Sequence, residues 1–199
     1  MKNLLIILFS SLLLTNCTVY RADFTMGMTG VESPPSVSKN IDAFTFEDEN
    51  IKIRWDFDYT RVDFVLENKT DKSIKVIWDE AIYVDEYEES ANIMHKGIKY
   101  IEKNDSQKPS TIARSSKLND SITPTSKIYY QNPTQYTQGG WREKPLFHNK
   151  IAFNKQTVKD SCSNTVGLEV KILLPVEIDG IIHEYIFTFK VEDIHIVQC

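Results

Sequence analysis

Cysteine is scarce, with three in 199 residues. So few support neither a disulfide scaffold nor a zinc framework. Glycine and proline number seven each, too few for collagen-like or low-complexity architecture. Positive charge is in deficit: 23 basic residues face 28 acidic ones, for a net charge of −5. A nucleic-acid binder carries a basic footprint, so the balance argues against that class. No apolar run reaches the roughly 20 residues that a membrane-spanning helix needs. The G-x-S-x-G elbow, the Walker loop, H-E-x-x-H and the EF-hand loop are all missing. No cofactor, no metal and no catalytic activity are therefore expected. What remains is ordinary globular composition, 41% hydrophobic and 26% charged, with room for one domain or two small ones.

The first residues are the most distinctive. Met1-Lys2-Asn3 places one positive charge before Leu4-Leu5-Ile6-Ile7-Leu8-Phe9-Ser10-Ser11-Leu12-Leu13-Leu14, a run without charge. It is too short to span a bilayer and has the dimensions of a secretory signal. It ends Leu14-Thr15-Asn16-Cys17, which resembles the bacterial lipobox, with Asn16 where Gly, Ala or Ser is usual. The resemblance implies that residues 1–16 are a cleaved signal peptide. It also implies that Cys17 is lipidated with palmitate-type acyl chains and becomes the mature N-terminus. Cleavage removes Lys2 alone among the charges, leaving 22 basic and 28 acidic residues, net −6. Such a surface does not favour anionic lipid, so the acyl chains are expected to hold the protein on its membrane.

Residues 17–42 keep no steady period and are punctuated by Gly, Pro, Ser and Thr. They read as a lipidated Cys and a flexible tether. Docking of the tether's Met and Phe residues on the domain is the alternative. Residues 43–199 read as one domain. Ile51, Ile53, Trp55 and Phe57 alternate with Lys52, Arg54 and Asp56; Val62, Phe64 and Leu66 repeat the pattern, as do Ile74, Val76 and Trp78. Each run buries one face of a strand and wets the other. Asn68-Lys69-Thr70 matches a glycosylation sequon but reads better as a turn. Short strands are expected at residues 81–84, 93–101 and 127–130, with polar connections over 103–121 and 131–149. Residues 147–159 carry a weak signal for a short helix.

The C-terminal third is the clearest. Asp179-Gly180 separates two apolar runs, the signature of a type I′ hairpin turn. Positions summing to 359 then oppose each other. Val170, Ile172 and Leu174 meet Phe189, Phe187 and Tyr185, while Glu169 meets Lys190. A slip of one residue would destroy this match. About seven short strands, each wet on one face, indicate an all-β sandwich of antiparallel sheets with Trp55 and Trp78 as core anchors.

At Trp55-Asp56, Leu66-Glu67-Asn68-Lys69-Thr70, Ile77-Trp78-Asp79-Glu80-Ala81, His95-Lys96-Gly97-Ile98-Lys99-Tyr100, Gly139-Gly140-Trp141 and Lys144-Pro145-Leu146-Phe147 the chain resembles a group of uncharacterised bacterial lipoproteins. The resemblance implies an immunoglobulin-like sandwich on a lipid tether in the cell envelope. It brings no activity and no site residue with it.

Candidate sites are few. Tyr129, Tyr130, Tyr136 and Trp141 cluster around a polar stretch rich in Gln and Asn. Aromatic faces flanked by amides suit a glycan or small ligand, and equally the cover of a sandwich core. For Trp141 the cover is the expectation, a lid folded over Gly139-Gly140. Cys162 and Cys199 remain once Cys17 is lipidated, and whether they pair is left open. The acidic residues Asp79, Glu80, Asp85, Glu86, Glu88 and Glu89 read as a solvated turn sooner than as a calcium loop. His95, His148, His183 and His195 are scattered. The expectation is a non-catalytic envelope lipoprotein, lipid-anchored (in the outer membrane), with the membrane and an envelope protein as partners. A glycan-binding module is the alternative. A hydrolase comes third, and a cavity with converging His, Asp and Ser would revive it.

Overall fold

The computed structural model describes residues 18–35 and 39–199. Residues 1–16, read as a signal peptide, and Cys17 lie outside the described residues. Alternation produces strands where it is strongest. β4 (Ile51–Phe57) buries Ile51, Ile53 and Trp55, and β5 (Val62–Asn68) buries Val62, Phe64 and Leu66. They pair antiparallel across the Asp58–Arg61 turn. Before them come β1 (Tyr20–Glu32), β2 (Asn40–Ile41) and β3 (Thr45–Glu47). After them come β6 (Ile74–Val76), β7 (Ile82–Val84), β8 (Ser90–His95), β9 (Ser110–Ile112) and β10 (Lys117–Pro124). The chain then forms β11 (Ile128–Gln131), β12 (Gly140–Glu143), the helix α1 (Lys155–Cys162), β13 (Glu169–Ile178) and β14 (Ile181–Gln198).

The terminal hairpin has the register its sequence dictates. Glu169 opposes Lys190, Val170 opposes Phe189 and Leu174 opposes Tyr185. Asp179 and Gly180 both have positive φ, 53° and 79°, as a type I′ turn requires. Pro175 lies where the second neighbour of β13 changes from β7 to β6, and its carbonyl accepts from Ile77 N–H.

One hydrogen-bonded ladder runs β1-β14-β13-β7-β8-β10-β5-β4-β3-β2, with β6 on β13 and β9 on β6. β8 carries it between two layers, pairing β7 through Ser90–Asn92 and β10 through Ile93–His95. The ladder curls until its halves face each other. Trp55 of β4 meets Phe187 and Phe189 of β14 at 5.0 and 5.7 Å, and Phe46 of β3 meets Phe187 at 5.7 Å. The outer strands also approach, since Met28 N–H of β1 donates to Ala43 O between β2 and β3. The architecture is the expected all-β antiparallel sandwich.

The tether is a correction. Residues 20–32 are not a flexible link but the long strand β1, paired along β14. Ala22, Met26 and Met28 are buried, and Phe24 packs on the core. Register shifts at Thr25/Met26 and Met28/Gly30 interrupt the pairing. The first leaves its extra residue, Glu192, on β14, so Ala22, Phe24, Met26 and Met28 keep the inward side; the second leaves Thr29 extra on β1 and moves the inward position to Val31. Strands β9 and β10 are a second correction, arising in the 103–121 stretch read as connection. The strand expected over 93–101 ends at His95, before Gly97 at φ 94°. α1 falls in the weakly helical region, with Asn154 as N-cap accepting from Gln156 N and Thr157 N. It closes a small second core in which Ala22, Val158 and Cys162 meet Tyr20, Ala152, Ile194 and Ile196. Cys162 is buried there, whereas Cys199 is exposed, and both are free thiols rather than a disulfide.

Candidate functional site

β11 and β12 form a two-stranded ribbon apart from the main ladder. The 131–149 stretch, read as a loop, therefore contains one strand of a hairpin. Its tip is held by Thr134, whose N–H donates to Thr137 O and whose hydroxyl meets that of Thr137 at 2.8 Å. A Cβ on Gly139 would meet Pro133 at 2.8 Å, so only glycine lets the returning strand approach. The ribbon is fastened by Lys103, which donates to Thr125 O and Ile128 O, and by Leu146 N–H, which donates to Tyr59 O.

The four aromatic residues singled out in the sequence come together here, on two faces. Tyr130 opposes Trp141 across the ribbon, with ring centroids 5.5 Å apart at 77°. Tyr129 opposes Arg142 on the other face and receives Lys144 Nζ 5.6 Å from its ring. Tyr129, Tyr130 and Tyr136 are 39, 53 and 87% exposed. Trp141 is half-buried, stands outside both cores and also meets the Tyr100 ring at 6.5 Å. It is thus no lid on the core. The ribbon has its own sheet, and Trp141 packs between Tyr130 and Tyr100 instead.

Glu143, two residues along the same face of β12, accepts from Tyr100 hydroxyl at 2.7 Å and from Thr60 hydroxyl at 2.6 Å. The Glu143 bond, then burial, pushes the Tyr100 phenol up from its ordinary value. Behind this pair lies a cavity of about 190 Å³ lined by Arg61, His95, Tyr100, Ser121, Thr123 and Glu143 among others. A larger polar depression of about 500 Å³ adjoins it through Arg61, Lys96 and Ser121. Sequence reasoning missed this cavity, because Arg61, His95 and Ser121 come from three separate strands or turns and share no motif.

His95 and Asp120 form a pair that the sequence did not signal. The imidazole stacks on Trp78 at 4.5 Å, and Nδ1 lies 3.1 Å from Asp120 Oδ2. Asp120 also accepts from Lys96 N–H and Ser121 N–H. Ser121 follows Asp120 directly and faces the other side of β10. His, Asp and Ser are therefore neighbours without forming a relay.

Two members of the acidic stretch, Asp79 and Asp85, are spent on hydrogen bonds within the fold. Asp79 accepts from Gln107 N–H and Ser106 hydroxyl, which hold its carboxyl below the usual range. Asp85 accepts from Tyr87 and Glu89 N–H in the turn where Glu88 has φ 63°. Among the described residues, no three His, Cys, Asp or Glu side chains converge as a metal site. His148 meets Ser161, His195 meets Asp193 and His183 opposes Val176 in the terminal hairpin. Comparison of the chain with protein-family models, curated proteins and solved structures finds no match.

Proposed function

We propose that this chain is a non-catalytic lipoprotein of the bacterial envelope. Acyl chains on Cys17 hold it to the outer membrane, and it acts through protein–protein contact at the β11–β12 ribbon. One observation carries the reading: the ribbon displays Tyr129, Tyr130 and Tyr136 to solvent without using them in either core. Tyr and Trp give large contact area at low conformational cost and are enriched where protein surfaces meet. The motif resemblance to envelope lipoproteins supports the lipid attachment and the envelope location. The test is a photo-crosslinking residue placed in cells at Gln135, on the ribbon tip, and at Ile182, far from it. The expected result is one discrete protein adduct from position 135, lost on Tyr130→Ala. Identical adducts from both positions would overturn the contact.

A second reading has its own observation, the placement of Trp141 beside the Glu143 carboxylate and the cavity that Arg61 lines. A ring face next to a carboxylate suits a sugar. Trp55 and Trp78 are buried, so a fluorescence change on adding envelope polysaccharide would report Trp141. Its loss in Trp141→Ala would favour the glycan over the protein partner.

A further inference from the structure

The place where β1 begins decides which end of the sandwich meets the membrane. Tyr20 exchanges two hydrogen bonds with Ala152, at 2.8 and 3.1 Å. Cys17 precedes Tyr20 by three residues, and three fully extended steps span at most about 11 Å. A lipid on Cys17 is therefore confined to the neighbourhood of Ala152.

That neighbourhood is unusual in its exposed side chains. Ala152 turns inward onto the small core, and its neighbours Ile151 and Phe153 are 59 and 68% exposed. Isolated exposed apolar residues need no explanation. Two large ones flanking the anchoring bridge form a pair with a direction. Lys150, Lys155 and Lys159 are exposed around them, and Lys155 Nζ sits 5.0 Å from the Tyr20 ring. Two acids lie nearby: Asp160, which accepts from the neutral Gln156 amide, and Asp23, which pairs with Arg21, so the bases outnumber them. Basic residues gather here although the chain as a whole is acidic.

The patch is fixed relative to β1. Asn149 clamps Ala22 from both sides, accepting from its N–H at 3.1 Å and donating to its carbonyl. Asn154 caps α1 immediately beyond Phe153. Apolar side chains ringed by lysine match the interface between acyl chains and anionic headgroups.

We infer that residues 150–153 and the start of α1 form a membrane-contact face that takes the anionic headgroup region of a bilayer. The inference rests on the lipidation of Cys17 proposed above. The acyl chains hold the protein, and this face orients it. The 18 residues of β14 run away from this end, so the Asp179-Gly180 turn points away from the membrane.

The test uses the full chain purified from its own envelope. It is reconstituted in phosphatidylethanolamine–phosphatidylglycerol vesicles that carry a nitroxide lipid labelled near the headgroup. An environment-sensitive fluorescent amino acid replaces Phe153 in one preparation and Ile181, beside the distal turn, in another. Quenching at 153 should exceed that at 181 several-fold. Exchanging Lys150, Lys155 and Lys159 for Gln should reduce it while the protein stays vesicle-bound. Equal quenching at both positions in an acylated, vesicle-bound protein overturns the face and leaves the lipidation standing. A purified mass without acyl chains removes the lipidation, and the inference with it.

Discussion

Asn68 is fully buried at the end of β5, and every polar atom of its amide is used. Nδ2 donates to Lys72 O, Ile112 O and Ala113 O, while Oδ1 accepts from Thr70 N–H and its hydroxyl. The sequon is therefore a structural turn that ties residues 68–72 to Ile112 and Ala113. Asn68→Ala should cost at least about 1–3 kcal/mol in urea unfolding, since it orphans buried carbonyls; a loss near zero would contradict this network. Glu47 makes a different residue-scale case. Lys69 and then Lys52 hydrogen-bond its carboxylate at 2.8 and 2.9 Å, pulling its pKa to about 2. A depressed carboxyl contributes stability above its unfolded value, about 4.3, and that contribution is lost as pH falls toward about 2. In an NMR titration the Glu47 carboxyl carbon should inflect near 2 in the wild type and higher in Lys69→Ala. An ordinary wild-type inflection would contradict the paired geometry. At this scale the sequence is readable where chemistry is local, as in the Asn-Lys-Thr turn. It is silent where partners are distant: Asp48, which accepts from the buried Tyr185 hydroxyl, lies 137 positions away from it.

At the scale of elements, the terminal hairpin was legible because turn chemistry and both strand faces agree. Phe187 faces Trp55 and Phe46 across the core, so Phe187→Ala should cost roughly 3–5 kcal/mol. Lys190, cross-strand from Glu169, should cost well under about 1 kcal/mol on the same change. Similar losses in thermal unfolding would mean the faces are reversed. β10 was hidden because Asp120 occupies an inward position between Leu118 and Ile122. A carboxylate there breaks the apolar alternation, and the His95, Lys96 and Ser121 bonds make it tolerable. β1 was hidden by the bulge at Thr29 and by the Gly and Thr residues spread along it. The ribbon was half legible: its aromatic residues stood out, but nothing local showed that Gly140–Glu143 would pair with Ile128–Gln131. Because Trp141 lies outside the cores, Trp141→Ala should lose clearly less than the roughly 3–5 kcal/mol of a core aromatic. A core-sized loss would restore the lid.

Across the whole molecule, the curl of one ladder decides both core and orientation. The ladder brings β4 and β3 over β14, and it makes β1 an outer strand that carries the N-terminal approach. With Tyr20 already in the sheet, only Thr18 and Val19 separate it from Cys17. A long flexible reach gives way to a domain set close against Cys17, so the proposed attachment and the orientation become one question. The lipobox resemblance was the plainest functional signal in the sequence, whereas the ribbon, the His95–Asp120 pair and the basic apolar end emerged only when distant segments were brought together. The measurement that reaches furthest is metabolic labelling of growing cells with an alkyne fatty acid, comparing the wild type with Cys17→Ser. The account predicts a labelled wild-type protein and an unlabelled variant. Equal labelling of both, or of neither, would contradict lipid attachment at Cys17.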